Sequence, residues 1–120
     1  MKENIAFHYL YRDGANYKTW NYIVFTNPSE MDIKAVEERL RNAFESKELF
    51  IADQVRVPEV FSYLQSTVTH DDHCYHEFAS LEVIEEPNND LYSRPILGFV
   101  EEVEQQSRKG WRAFDPQDKV

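Results

Sequence analysis

The chain has 120 residues, of which 42% are hydrophobic and 14% aromatic, so it suits one folded domain over residues 1–120 and not a disordered chain. Asp and Glu outnumber Lys and Arg by 22 to 13, and a formal charge of −9 argues against a protein that binds long nucleic acids. The single cysteine excludes an internal disulfide framework. Without an apolar run long enough for a signal peptide or membrane span, we expect a soluble, cytoplasmic protein.

The first elements are a predicted hairpin and a helix. Residues 5–11 and 20–25 are rich in aromatic and branched side chains, which is typical of strands, and Asp13-Gly14 supplies turn chemistry between them. Ser29 is the expected N-cap of the helix, with Asp32 in the capping-box position. The apolar residues that follow recur at helical spacing and predict one buried face: Ile33, Val36, Leu40, Ala43 and Phe44.

The second half predicts a further strand and helix. Residues 49–52 form a third strand or an irregular loop, and residues 60–64 a short helix. A strand runs from about 74 to 84 and ends at the turn formers of residues 87–90. The second main helix begins near Arg94-Pro95 and stops at Gly110, with an apolar stripe of Ile96, Phe99, Val100 and Val103. The order predicts an α+β domain, in which a small antiparallel sheet carries two main helices on one face. The other face is left for solvent, a partner subunit or a ligand, and we expect the protein to form dimers.

The alternation along the strand at 74–84 assigns its faces. Successive side chains point to opposite sides, so Ala79, Leu81 and Val83 share one face, which reads as core. His76 and Phe78 then lie on the other face, together with Ser80 and Glu82. Phe78 is therefore predicted to point away from the core, where it could serve as a platform for a planar ligand.

Three histidines and the cysteine cluster just before this strand: His70, His73, Cys74 and His76. Imidazole and thiolate are zinc ligands, but the spacing matches no standard short motif, and a polar loop that runs into a strand explains the cluster equally. A hydrolase would pair His76 with Glu77 or Asp72. Neighbouring strand residues point to opposite faces, which disfavours the pair of His76 with Glu77.

An aromatic and cationic set indicates nucleotide binding instead. Its aromatic members could stack on bases: Trp20, Phe78, Trp111 and Phe114. Its cations could neutralise phosphates: Arg56, Arg108, Lys109 and Arg112. The amides of Asn88 and Asn89 can both donate to and accept from a base edge. In the alternative interpretation Trp20 and Phe114 belong to the core, and the cations complete a helix end.

Three segments together resemble the first-described family of phage anti-Thoeris sponge proteins: Tyr11-Arg12-Asp13 with Asn16-Tyr17-Lys18, Val24-Phe25-x-Asn27, and Asp72-His73-Cys74-Tyr75-His76-Glu77-Phe78. The resemblance implies a homo-oligomer built from dimers, active in an infected bacterial cell. Such proteins are not enzymes and need no cofactor. They sequester cyclic ADP-ribose isomers of the gcADPR type, made by TIR-domain immune proteins, and thereby inhibit Thoeris defence. Some also hold cyclic oligonucleotides at separate sites.

The resemblance also implies roles for particular residues. Phe78 matches the base-stacking aromatic and Asn88 the residue that binds adenine, with Asn89 as its substitute if the turn register slips. Arg56, Arg108 and Arg112 are the candidates for the phosphates. Trp20 and His76, the latter on the predicted face of Phe78, complete the expected ligand-binding set. The alternatives are an acidic protein that inhibits a host protein and a small metal-dependent hydrolase.

Overall fold

A four-stranded antiparallel sheet forms the centre of the computed structural model, which describes residues 3–65 and 67–119. Its strands are β1 (Asn4–Arg12), β2 (Lys18–Phe25), β3 (Leu49–Phe50) and β4 (His76–Ile84). The predicted hairpin is confirmed, with Ile5 opposite Phe25 and Arg12 opposite Lys18. β4 pairs with the other side of β1, and the short β3 pairs with β4, which gives the order β2-β1-β4-β3.

Two helices cover one face of the sheet: α1 (Ile33–Ala43) and α2 (Ile96–Lys109). The predicted apolar stripe of α2 is buried in full and packs against sheet residues in one core: Ile5, Phe7, Tyr9, Ile23 and Phe25. Short 3-10 turns occupy Ala52–Val55, Ser62–Gln65 and Pro116–Lys119, so the predicted helix at 60–64 is a single turn. The α+β prediction is confirmed. None of the helices in the described part of the chain has the length and apolar character needed to span a membrane.

Helix α1 begins later than the sequence predicts. Its N-cap is Asp32, whose carboxylate accepts a hydrogen bond from the Ala35 N–H at 3.2 Å. The amide of Asn27 instead bonds both the N–H and the C=O of Met31, and so holds the preceding residues in a loop. The prediction of Ser29 as the N-cap was wrong, because these hydrogen bonds from the Asn27 side chain to the Met31 backbone compete with a helical turn before Asp32.

The pairing of β4 with β1 is irregular at Ala79. Ser80 lies opposite His8 but Phe78 lies opposite Tyr9, so Ala79 has no partner in β1. One extra residue in a strand moves the side chains beyond it to the other face of the sheet. Phe78 and His76 therefore point into the core, where 2% and 0% of their surfaces are exposed. The prediction that both face away from the core was wrong.

The residues predicted as the core face of β4 are buried less than expected. Leu81 packs against the core but is only partly buried, and Ala79 is half-buried. Val83 is 47% exposed because it lines an open cleft between the sheet and the start of α1, beside Ile5 and Ile33. The alternation therefore assigned the sheet faces correctly only after the irregular position at Ala79, where Leu81 and Val83 lie on the core side.

A buried ion pair fixes the loop that leads into α2. The Arg94 guanidinium donates to both carboxylate oxygens of Asp90, at 2.9 and 3.0 Å, and to the carbonyls of Val55 and Arg56. Burial raises the pKa of Asp90, but the hydrogen bonds and charge of Arg94 outweigh that effect and lower it. The pair therefore ties the start of α2 to the turn at Ala52–Val55.

Candidate functional site

Two segments that carry the sequence resemblance meet at one end of the sheet. The loop between β1 and β2 contacts the segment before β4 through the Gly14 N–H, which donates to the Asp71 carbonyl at 2.8 Å. A side chain at Gly14 would place a Cβ 3.1 Å from that carbonyl oxygen, so glycine suits this close approach. The buried Tyr11 hydroxyl donates to Asp72 at 2.7 Å and accepts from the His73 N–H. The two segments therefore form one hydrogen-bonded unit.

A cleft of about 380 Å³ opens where they meet. We call it the motif cleft, and it is lined by Arg12, Asp13, Gly14, Leu49, His73, Tyr75 and Glu77. The Arg12 guanidinium forms a fork with the Glu77 carboxylate, with N–O distances of 3.1 and 3.2 Å. Because both charges are already paired, the cleft offers fixed donors and acceptors to a polar ligand instead of a bare positive charge.

The imidazole of His73 is held in one orientation at the wall of this cleft. Its Nε2 lies 2.6 Å from the Arg12 carbonyl, and its Nδ1 accepts from the Tyr75 N–H at 3.1 Å. A carbonyl only accepts, so Nε2 carries a proton and donates it to the Arg12 carbonyl. His73 therefore stabilises the wall of the cleft, and these two hydrogen bonds account for its position without a bound metal or a catalytic role.

The outer face of the sheet, opposite the helices, continues the motif cleft. Phe7 and Tyr9 face the core, so Leu10 and Arg12 point outward by alternation. Trp20 lies opposite Leu10 and Lys18 opposite Arg12, which places both on the same face. Trp20 is 60% exposed, so it is not a core residue. An accessible indole and two cations thus border one another at this end of the sheet.

The structure separates Phe78 from the other predicted ligand-binding residues. Its ring stacks on Phe7, with centroids 5.4 Å apart and an angle of 10°, and the Arg41 guanidinium covers it at 4.6 Å. Phe44 packs beside it in the same core. Phe78 is therefore a core residue in this structure, and the predicted stacking platform is not exposed.

His76 is buried as completely as Phe78 and contacts the rings of Tyr9, Tyr11, Phe50 and Phe61. Its Nε2 accepts from the Val60 N–H at 2.9 Å, so the neutral ring carries its proton on Nδ1, which is buried without a partner. Burial, reinforced by the nearby His73, lowers the pKa of His76 to about 3. The expected ligand-binding role of His76 does not fit this environment.

Acid should destabilise the protein through His76. The pKa of the ring is about 6.5 in the unfolded chain and is lowered to about 3 in the folded protein. Below pH 6.5 the unfolded state therefore takes up a proton that the folded state does not, so the free energy of unfolding falls as the pH falls from 6.5 towards 3. We expect a loss of about 2 kcal/mol at pH 5, at about 1.4 kcal/mol per pH unit. Urea unfolding of wild type and His76→Phe at pH 7.5 and 5.0 measures it. An equal loss of stability between the two pH values in both proteins would contradict this assignment.

The two asparagines differ in what they contact. Asn89 bonds the edge of β2: its amide oxygen accepts from the Val24 N–H at 2.7 Å, and its own N–H donates to the Val24 carbonyl at 3.1 Å. This structural role accounts for Asn89. Asn88 is exposed in the same loop. Both lie at the end of β2 away from the motif cleft, since Val24 pairs with Ala6.

The three candidate arginines lie on the helix side of the sheet. Arg56 pairs with Glu102 at 2.8 Å and its guanidinium covers the Tyr92 ring at 4.4 Å. Arg108 is exposed in the last turn of α2, and Arg112 is exposed just after it. The structure does not bring these cations to the motif cleft. Sequence reasoning missed Arg12 and Lys18 as candidate cations, although both lie within the motifs that carry the resemblance.

A larger cleft of about 820 Å³ lies between the sheet and the start of α1. It has an apolar floor that includes Ile5 and Val83, and four carboxylates line it: Glu3, Glu30, Asp32 and Glu85. Such a charge pattern disfavours a phosphate ligand. Among residues 3–65 and 67–119, no group of three or more His, Cys, Asp and Glu is arranged to hold a metal ion.

Comparison of the chain with protein-family models, curated proteins and solved structures gives no significant match.

Proposed function

We propose that this protein captures a cyclic ADP-ribose isomer without cleaving it, and so inhibits Thoeris immunity that signals through TIR-domain enzymes. One observation carries the proposal. Two segments that are far apart in the chain and that resemble sponge proteins line the motif cleft, beside the exposed Trp20. The assignment of the stacking residue changes with the structure. Trp20, an expected ligand-binding residue, is exposed and becomes the stacking aromatic in place of the buried Phe78.

The chemistry of the surface matches the parts of such a ligand. An adenine can stack on the accessible indole of Trp20. The diphosphate then faces Lys18, the cation on the same side of the sheet as Arg12, whose own charge is paired with Glu77. Asp13 and Glu77 can accept hydrogen bonds from ribose hydroxyls, as acceptor-only carboxylates do. Capture needs only this fixed arrangement of groups, because no bond is made or broken.

Removal of the indole should weaken capture strongly. We expect Trp20→Ala to lower the affinity for a cyclic ADP-ribose isomer about 10- to 100-fold, since base stacking on an aromatic contributes about 1–3 kcal/mol. Isothermal titration calorimetry of both proteins with the same isomer measures the change. Leu91→Ala is the control, because Leu91 is 82% exposed and lies in the loop before α2. Unchanged affinity in Trp20→Ala would refute the assigned platform.

A second candidate function is inhibition of a host protein. The acidic cleft of about 820 Å³ favours it, since carboxylates around an apolar floor suit a cationic, amphipathic segment of a partner. One experiment distinguishes the two functions. A captured nucleotide is released intact when the protein is heated, whereas an inhibited host protein co-purifies with the chain, and Glu30→Lys with Asp32→Lys would abolish that co-purification.

A further inference from the structure

The charges at the motif cleft balance one another, because two cations, Lys18 and Arg12, meet two carboxylates, Asp13 and Glu77. The fork between Arg12 and Glu77 joins side chains that are 39% and 22% exposed. The remaining guanidinium nitrogen, Nη1, donates to the Asn16 side-chain oxygen at 2.6 Å, so every nitrogen of Arg12 already has a protein acceptor. Lys18 forms no ion pair within the described part of the chain and is therefore the cation left for a ligand.

Glu77 lies close to a nucleotide that stacks on Trp20. Both residues pair with Leu10, from opposite sides of β1, so they lie in one row across the outer face of the sheet. Neighbouring strands are about 4.8 Å apart, which puts the two backbones about 10 Å from each other. Phosphates that extend from Trp20 towards Lys18 lie within roughly the 8 Å over which physiological salt screens a charge. The Glu77 carboxylate therefore repels the phosphates of a bound nucleotide.

The strength of this repulsion depends on the charge of the ligand. A phosphate diester, as in a cyclic ADP-ribose isomer, carries a single negative charge, whereas a terminal phosphate such as that of ATP carries about −1.5 to −2. ATP therefore brings about twice the charge of the cyclic diphosphate to the same adenine-stacking surface. Because the Coulomb energy is proportional to the charge of the ligand, a carboxylate beside the phosphates disfavours ATP more than the cyclic isomer.

We propose that Glu77 is a specificity-determining residue, which pairs with Arg12 and thereby excludes nucleotides with a terminal phosphate from the motif cleft. This role rests on the proposed capture, and it defines the ligand class as adenine nucleotides whose phosphates are all diesters. A fork with a structural role alone would only fasten β4 to β1. Its loss would then change the stability of the protein and the binding of all nucleotides alike, irrespective of their charge.

Isothermal titration calorimetry with ATP and with a cyclic ADP-ribose isomer tests this role, in buffer without Mg²⁺ so that the triphosphate keeps its charge. Glu77→Gln retains an acceptor for Arg12 but removes the carboxylate charge, and it should fold because exposed ion pairs contribute little to stability. We expect it to bind the isomer about tenfold and ATP about a hundredfold more tightly than wild type, since the electrostatic free energy doubles when the ligand charge doubles. Equal changes for the two ligands, or no gain for ATP, would overturn the proposal.

Two further variants separate the effect of charge from that of the fold. Glu82→Gln is the matched control, because Glu82 pairs with His8 at 2.9 Å on the same face, about 13 Å along the sheet from Glu77, and it should leave both affinities within about twofold. Arg12→Gln with Glu77→Gln removes both charges, so its ATP affinity should return to near the wild-type value. A gain for ATP that persists in this double variant, or appears in Glu82→Gln, would overturn the proposal. A wild type that does not bind the isomer would refute the proposed capture, while the ATP titrations still decide the role of Glu77.

Discussion

Phe78→Ala should lower the free energy of unfolding by about 3–5 kcal/mol, as large-to-small substitutions of buried phenylalanine do. The ring is 2% exposed, stacks on Phe7 and packs beside Phe44, so its loss leaves a cavity that close-packed neighbours fill only in part. The Arg41 guanidinium above the ring would lose its partner as well. This result is the opposite of that expected if Phe78 were an exposed ligand platform.

Urea unfolding monitored by circular dichroism measures the effect. Phe78→Leu keeps most of the volume and should cost clearly less than Phe78→Ala. Tyr17→Ala is the surface control: Tyr17 is 72% exposed, and its replacement should change stability by no more than about 0.5 kcal/mol. If Phe78→Ala were as stable as Tyr17→Ala, the irregular pairing at Ala79 would be wrong.

Arg94→Met should also cost about 3–5 kcal/mol, because it leaves the Asp90 carboxylate buried without its counter-charge. The side chains of the pair are 8% and 3% exposed, and the guanidinium also satisfies the carbonyls of Val55 and Arg56. Methionine keeps an unbranched side chain, whereas the guanidinium contacts with the Phe25 and Phe99 rings are lost with the charge, so the loss measures the charge, its ring contacts and its hydrogen bonds.

The control for this change is Arg112→Met, at an exposed arginine after α2, which should alter stability by no more than about 0.5 kcal/mol. Thermal and urea unfolding of both variants gives the comparison. Adding Asp90→Ala to Arg94→Met should recover part of the loss, because it removes the unpaired charge. A loss below about 1 kcal/mol in Arg94→Met would show that the ion pair does not hold the loop.

Periodicity in the sequence predicted most of the fold. The helical spacing of Ile96, Phe99, Val100 and Val103 placed the buried face of α2 correctly, since each of these residues is fully buried. The hairpin of β1 and β2 followed equally from composition and the turn chemistry of Asp13-Gly14. Both signals are local, so each can be read from a few neighbouring residues.

The faces of β4 could not be read in the same way. Alternation is a reliable guide only while the strand is regular, and the extra residue at Ala79 carries no glycine or proline that would indicate a bulge. This extra residue shifts the register by one, so Phe78 and His76 lie in the core and not on the outer face where alternation predicted them. Burial of these two rings depends on the pairing of β4 with β1, a long-range contact that no local pattern reveals.

The candidate site was predictable only in part. The motifs that resemble sponge proteins contain Arg12, His73 and Glu77, but their meeting in one cleft depends on contacts between residues more than sixty positions apart. The exposure of Trp20 likewise depends on which sheet face the helices cover. Sequence patterns could identify residue types suited to a nucleotide, and the fold decided which of them are accessible.

The most direct test of the proposed capture follows the ligand itself. Protein is incubated with a cyclic ADP-ribose isomer, separated from free ligand, heated, and the released material is identified by mass spectrometry. The account predicts that the wild type releases the intact isomer and that Trp20→Ala retains far less of it. Release of a cleaved product, or equal retention by Trp20→Ala and wild type, would contradict it.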